Sequence, residues 1–274
     1  PSAEGQAAKG SMWRQTAYGW TFIRERPGLW GLLMLTAITN LVMALVTVLI
    51  TPLVLSFADM SALGMVVSIS GLGMLLGGIF MSVWGGPKRR MSGVLGVAFL
   101  AGAVLLLAGL PPSIPLVAFA ASAYLFTIPL MMSSINTIWQ SKVAPDLQGR
   151  IFAVRRMVAL SASPVASLIA GPLADGFFEP WLAPDGALAG SVGRLIGTGT
   201  GRGIGFLFVV LGILSMLVPV VAWLSPRVRL VEDELPDVLP TTRPSSPAQA
   251  PAPAVEAETE GTALLPTGSG DPSP

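Results

Sequence analysis

The chain has 274 residues, of which 52% are hydrophobic and only 11% are charged, and its formal net charge is +1. Soluble domains carry about 25% charged residues, so this composition favours a membrane protein. The sequence contains neither cysteine nor histidine, which excludes disulfides, thiol chemistry and the usual zinc sites. We therefore expect no enzymatic activity, no metal site and no cofactor.

The first segment of the chain precedes any long apolar run. Residues 1–10 have the composition of a linker, as in a fragment of a longer polypeptide. In residues 11–27, Trp13, Ala17 and Trp20 recur at helical spacing, and Pro27 would end a helix. We predict a short amphipathic helix on the cytoplasmic membrane surface. The alternative is that this segment forms the first turns of the first membrane span.

Six long apolar runs follow. A helix needs about 20 apolar residues to cross a hydrocarbon core of about 30 Å. Runs of that length lie at residues 28–57, 61–84, 91–110, 114–140, 151–178 and 204–224. Their interiors are almost free of charge, which a soluble core helix rarely sustains on every face. The sequence thus predicts an all-α integral membrane fold, with a six-helix transmembrane domain over residues 28–224.

Basic residues are concentrated in alternate loops, and the opposite loops hold only Arg194 and Arg202. The basic loops precede the first run, follow the sixth, and lie between runs two and three and between runs four and five. The positive-inside rule then places both ends of the chain in the cytoplasm, with the six spans in the plasma membrane, here the bacterial inner membrane. The residues after the last span, 225–274, are rich in proline, alanine, serine and acids. We predict that they form a disordered cytoplasmic tail.

The densest basic group is Lys88, Arg89 and Arg90, which directly follow Gly85, Gly86 and Pro87. The glycines and the proline predict a tight turn. Their spacing is not that of a phosphate-binding loop, and no strand precedes them. We interpret the three cations as a topological anchor that reaches anionic lipid head groups. The expected partner is the lipid bilayer and not nucleic acid.

The spans differ in polar content, and polar groups in hydrocarbon face a cavity or another helix because lipid cannot solvate them. Spans three and six hold almost no polar side chain, so we expect them to face lipid. Spans one, two, four and five are expected to border a cavity. The candidate substrate-contacting residues are Thr36, Asn40, Met43, Thr47, Tyr124, Thr127, Met131, Ser134 and Asn136. The alternative is that the hydroxyl groups bond their own backbone or join helices.

Small residues predict close helix contacts. Gly73 and Gly77 form a GxxxG pair in span two, and Ser167 and Gly171 form a similar pair in span five. Such pairs let two backbones approach closely in lipid. Proline residues in the middle of spans four and five would kink or weaken those helices.

The order of the motifs is similar to that of a known family. "RPGLWGLL", the basic loop "GGPKRR", "APDLQGRIFAVRRM" and "AGPLADGFFEP" follow one another within residues 11–230. This order resembles the C-terminal half of a major facilitator superfamily transporter, in the branch of macrolide-efflux-like drug exporters. The resemblance implies half of a twelve-helix fold, in which the first, second, fourth and fifth helices of each half border a central cavity. The missing partner would be an N-terminal six-helix half or a second half-transporter chain.

The resemblance also implies a role for the cytoplasmic loops. "GGPKRR" resembles a degenerate copy of a family loop motif, but the Asp that precedes its basic run is absent. We predict a gate at this surface, formed by Lys88, Arg89 and Arg90 with Asp146 and Arg150. No span has an acid at its centre; Asp175, near the outer end of span five, is the nearest candidate for ion coupling. The coupling residue is otherwise expected in the missing half.

The leading hypothesis for function is secondary active transport by alternating access, with export of small lipophilic or amphipathic molecules. A lining of methionine and aromatic side chains suits adaptable binding of such ligands. Two alternatives stay open at this point. The chain could be the six-span permease subunit of an ATP-driven transporter, with residues 145–156 docking the ATPase. It could also be a membrane anchor fused to a biosynthetic enzyme.

Overall fold

The computed structural model describes residues 12–87 and 89–226, without the side chains of residues 12–16. The predicted linker, Lys88 and residues 227–274 of the predicted tail lie outside this part. Within it the secondary structure is entirely helical. The long helices are α1 (Met12–Arg24), α2 (Pro27–Leu55), α3 (Met60–Trp84), α4 (Arg90–Ala108), α5 (Ile114–Lys142), α6 (Pro145–Gly171) and α9 (Arg202–Leu224). A π-helical segment (Pro172–Phe178) and the short helices α7 (Glu179–Trp181) and α8 (Gly193–Ile196) follow α6.

Six of these helices are long and apolar enough to cross a membrane. They are α2, α3, α4, α5, α6 with its extension to Trp181, and α9. The prediction of six spans is therefore confirmed, and the chain is a multi-pass membrane protein. Span five begins earlier than expected, at Pro145, because proline is tolerated in the first turn of a helix. The span ends in the π-helical segment, which begins at Pro172. Proline has no backbone N–H, so the regular α-helical hydrogen bond cannot form at this residue.

The helix ends follow from local chemistry. The Asp59 side chain accepts a hydrogen bond from the Ala62 amide (2.9 Å) at the start of α3, which is the usual N-cap arrangement. Gly85 ends the same helix in the left-handed conformation (φ 73°), and Gly86 continues the turn at φ 89°. Only glycine adopts two such conformations in a row without strain. The tight turn predicted before the basic loop is confirmed.

Neighbouring helices pack in a definite order. α5 packs against both α3 and α4, α9 packs against α4 and α2, and α6 packs against α2 and α1. α1 is a separate helix, and Phe22 and Ile23 are buried in the bundle core. Its location on the membrane surface stays a prediction. We call the end of the bundle at Arg90 and Lys142 the basic end.

Glycines make two of the tightest helix contacts. A Cβ atom added at Gly73 or Gly77 would collide with a backbone carbonyl of α5, at Ser122 or Phe126 respectively. The close contact predicted for this GxxxG pair is thus confirmed. A second contact was not predicted: an added Cβ at Gly102 of α4 would lie 2.7 Å from the Gly212 carbonyl oxygen of α9. No described atom lies within 4 Å of an added Cβ at Gly171, so the contact expected there is not made within the described residues and stays a prediction for a partner outside them.

The described spans differ in how much of their surface the bundle buries. In the most apolar stretch of α4, 50% of the residues are buried inside the described bundle. The corresponding share is 22% for α3 and for α6. α4 packs extensively against both α5 and α9, so it is the most enclosed span of the described bundle. Its other side exposes apolar residues such as Leu100, and the lipid-facing position expected for this span stays a prediction. α3 and α6 present broad apolar surfaces.

A carboxylate joins the segment after α6 to the start of α9. The Glu179 side chain accepts hydrogen bonds from the amides of Gly201 (2.6 Å) and Gly203 (3.0 Å). These are unpaired amides at the positive end of the α9 dipole, where a carboxylate is stabilising. Glu179 therefore holds the two spans together at the end opposite the basic end.

We expect Glu179→Gln to lower the free energy of unfolding by about 1–2 kcal/mol, because a charge-assisted bond becomes a neutral one. For a domain of this size the melting temperature should fall by about 3–6 °C. Thermal melting of the detergent-solubilised chain, followed by circular dichroism, measures the change. Asp185→Asn is the matched control, since Asp185 is exposed in the same segment. Equal melting temperatures for the two variants would contradict the role of Glu179.

Candidate functional site

A largely apolar cavity of about 290 Å³ lies within the helix bundle. Ligand pockets usually measure about 300–1,000 Å³, so this one suits a small molecule. α2 and α5 supply most of its wall, and α3, α4 and α9 supply the rest. The lining residues include Met43, Val46, Thr47, Ile50, Ser70, Met74, Leu105, Val117, Ala121, Tyr124 and Phe208.

The polar groups of the cavity wall are few, and two of them are already engaged. The hydroxyl of Thr47 donates to the Met43 carbonyl (2.8 Å), and that of Ser70 donates to the Val67 carbonyl (2.8 Å). Tyr124 is 3% exposed and forms no side-chain hydrogen bond within the part of the chain that the structure describes. The phenol of Tyr124 is thus the polar group of this wall that can donate to a ligand.

The structure brings together three of the nine predicted cavity residues, Met43, Thr47 and Tyr124. Two others on α2 do not line this cavity. The hydroxyl of Thr36 donates to the Leu32 carbonyl (2.7 Å), and Asn40 Nδ2 donates to the Thr36 carbonyl (2.8 Å). For Thr36, the alternative interpretation, that it bonds its own helix backbone, describes what the structure shows.

The predicted residues further along α5 take different positions. Met131 lines a smaller pocket of about 20 Å³ that Tyr124 also borders. Thr127 and Ser134 are buried, and the Thr127 hydroxyl donates to the Tyr124 carbonyl (2.6 Å). Asn136 is exposed and accepts a hydrogen bond from Arg155 of α6 (3.1 Å). These residues therefore do not form a single polar stripe toward one cavity.

The predicted gate residues that the structure describes lie at the basic end, and Asp175 lies at the other end. Arg89 and Arg90 are exposed where α4 begins. Asp146 is exposed in the first turn of α6, where its charge complements the helix dipole. Arg150 follows one turn later and is partly buried. A gate contact among these residues, with Lys88, stays a prediction. Asp175 is exposed in the π-helical segment, and its role in coupling also stays a prediction.

Most of the cavity wall consists of residues that sequence reasoning did not select, such as Val46, Ile50 and Phe208. In an apolar span, the type of an apolar side chain does not indicate whether it faces the cavity, another helix or lipid. The polar stripes of spans one and four are the available signal, and they contribute Met43, Thr47 and Tyr124 to this wall. The described residues contain no group of three or more acidic side chains that could hold a metal ion.

Comparison with known proteins gives matches to a family profile and to individual relatives. The sequence profile described as Major Facilitator Superfamily matches residues 1–174, which is more than half of the chain and includes α1 to α6. Two relatives described as macrolide efflux protein A, from Streptococcus pyogenes and from its serotype M6, are each 23% identical over 174 residues. The aligned part covers 59% of this chain but only 41% of each relative. No solved structure shows a significant match.

Proposed function

Because the chain belongs to the Major Facilitator Superfamily, a family of membrane transporters and not of enzymes, we propose that it forms half of a secondary active transporter. Its cargo would be small lipophilic or amphipathic molecules, exported by alternating access. The likeness to proteins described as macrolide efflux protein A supports the direction of transport. The apolar cavity beside Tyr124 carries the proposal, because it offers adaptable apolar surface and one free donor.

The proposed transporter requires a second six-helix half. The chain covers only 41% of the efflux proteins that it resembles. α3 and α6 are the least buried spans, at 22% each, and they expose large apolar residues such as Met65, Leu72 and Leu168. A second half packed on these two helices would cover that surface and leave a passage between the halves. Both chain ends would lie in the cytoplasm.

Ion coupling is assigned to the second half. Among the described residues no acidic side chain is buried. A carboxylate that binds a proton during transport is usually enclosed, because burial tunes its affinity. Asp175, which is exposed in the π-helical segment, is the alternative candidate within this chain.

The test uses the complete transporter, with this chain and its second half, expressed in bacteria that lack their own efflux pumps. Cells that make the wild type should accumulate less of the lipophilic dye Nile red than cells with an empty vector. Ala121→Trp should abolish the difference, because Ala121 lines the cavity and an indole would fill it. Leu100→Trp is the control, since Leu100 is 52% exposed on α4. Equal accumulation with and without folded wild-type protein would refute transport, and equal efflux by Ala121→Trp would refute this cavity as the site.

A further inference from the structure

Arg155 places a cation between α5 and α6, away from the apolar cavity. Its Nη2 atom donates to Asn136 Oδ1 across the two helices (3.1 Å). The guanidinium carbon lies 4.9 Å from the ring centroid of Trp139 and 5.1 Å from that of Phe152. α5 and α6 make little direct backbone contact, so the Arg155 side chain bridges them. The two aromatic rings and the amide fix its position.

The charge of Arg155 has no carboxylate partner within the part of the chain that the structure describes. Its contacts there are Asn136 and the two aromatic rings. The buried Nε atom of Arg155 makes no hydrogen bond, and neither does Nε1 of Trp139, a side chain with 0% exposure. Buried N–H groups are nearly always paired, and charges inside a span usually have a counter-ion. An unpaired guanidinium N–H without a carboxylate partner points to a ligand that accepts hydrogen bonds.

The unengaged groups of this cluster are all donors. A guanidinium cannot accept a hydrogen bond, so the amide of Asn136 must turn its oxygen toward Arg155. Its Nδ2 group, which has two hydrogens, then points away from Arg155 and bonds no other described residue. Arg155 Nη1 also has no hydrogen-bond partner there. A positively charged site that offers only donors matches an oxyanion, such as a carboxylate or a phosphate.

We propose that Arg155 and Asn136 bind the oxyanion head group of an amphipathic ligand. The rings of Trp139 and Phe152 provide apolar surface beside the cation for the first carbons of its tail. The head group could belong to a soluble acidic amphiphile or to an anionic lipid of the bilayer. The interpretation of the bound molecule as cargo rests on the proposed function, but its binding does not.

The experiment measures binding to the full chain in dodecyl maltoside, a detergent without phosphate. The protein carries 5-fluorotryptophan, and Trp139→Phe identifies the ¹⁹F resonance of Trp139. Decyl phosphate should shift this resonance saturably, whereas decanol should not. Phosphatidylglycerol is the second probe: a shift with it alone assigns the site to lipid, and a shift with decyl phosphate alone assigns it to soluble amphiphiles.

Variants distinguish binding at this site from nonspecific attraction to positive charge. Arg155→Gln should raise the Kd for the shifting probe by about 10- to 100-fold, as the loss of a charge-assisted hydrogen bond does. Arg156→Gln, which changes an exposed arginine on the same helix, should leave it within about twofold. If Arg155→Gln does not fold, Asn136→Ala, which alters an exposed side chain, should weaken binding by about 3- to 10-fold.

Three results would overturn the proposal. They are an equal shift with decanol, an unchanged Kd in both Arg155→Gln and Asn136→Ala, and an equal loss in Arg156→Gln. If binding is intact but transport fails, only the interpretation of the ligand as cargo is refuted. The binding site and the transport function are therefore tested independently.

Discussion

Gly73→Ala is expected to destabilise the chain by about 2–3 kcal/mol, although alanine normally favours a helix over glycine by about 1 kcal/mol. The added methyl group would collide with the backbone carbonyl of Ser122 on α5. Backbone in the middle of a helix cannot move aside as a side chain does. α3 and α5 must then separate and lose contacts along their whole interface.

The measurement is thermal melting of the detergent-solubilised chain, with an expected fall of about 5–10 °C. Gly71→Ala is the matched control. Gly71 lies two residues away on the same helix, and no atom lies within 4 Å of an added Cβ there. Its melting temperature should stay the same or rise by a few degrees, because only the helix propensity changes. A rise for Gly73→Ala as well would show that the two helices do not touch at this residue.

The span count and the α3–α5 contact could be predicted from the sequence for clear physical reasons. Lipid satisfies no backbone hydrogen bond, so each long apolar run must become a helix of about 20 residues or more. Gly73 and Gly77 are one turn apart, and that spacing is typical of a close helix contact. Neither inference needs the position of any other helix.

The other glycine contact could not be predicted in this way. Gly102 and Gly109 face Gly212 and Gly205 in antiparallel order, so each pair is spread over two distant helices. The chain has 31 glycines, and spacing within one span does not say which of them face a partner. Gly171 has the same spacing from Ser167, yet no described atom lies within 4 Å of an added Cβ there. The packing of the helices determines which glycines contact each other. The sequence of a single span does not contain that information.

The residues of the cavity wall and of the Arg155 cluster are hard to predict from sequence for a related reason. A polar stripe predicted Tyr124, but most cavity residues are apolar and look like the rest of their spans. From charge alone, Arg155 is one of several cations near the start of span five. Trp139 and Phe152 lie at positions that no sequence pattern connects with this arginine. Contacts between α5 and α6 were needed to separate Arg155 from its exposed neighbour Arg156.

Tyr124→Ala is expected to change both ligand selectivity and stability, and Tyr124→Phe separates the two effects. Truncation to alanine removes a side chain that is 3% exposed and should destabilise the chain by about 3–5 kcal/mol, as for other buried aromatic residues. It would also enlarge the 290 Å³ cavity, so bulkier ligands should bind better than they do to the wild type. Tyr124→Phe removes only the hydroxyl and should leave the melting temperature nearly unchanged, because that hydroxyl bonds no described residue.

The selectivity of the cavity is tested with two ligands that share one ring system, naphthalene and 2-acetylnaphthalene, by equilibrium dialysis against the detergent-solubilised chain. If the phenol of Tyr124 donates to the ketone, Tyr124→Phe should weaken 2-acetylnaphthalene by about 3- to 10-fold, the effect of one neutral hydrogen bond. Naphthalene has no acceptor oxygen, so its Kd should not change. Asn40→Leu is the control, since the side chain of Asn40 bonds the Thr36 carbonyl and does not line this cavity. An equal effect of Tyr124→Phe on both ligands would mean that the hydroxyl does not contact the ligand. In that case the cavity would select by shape alone.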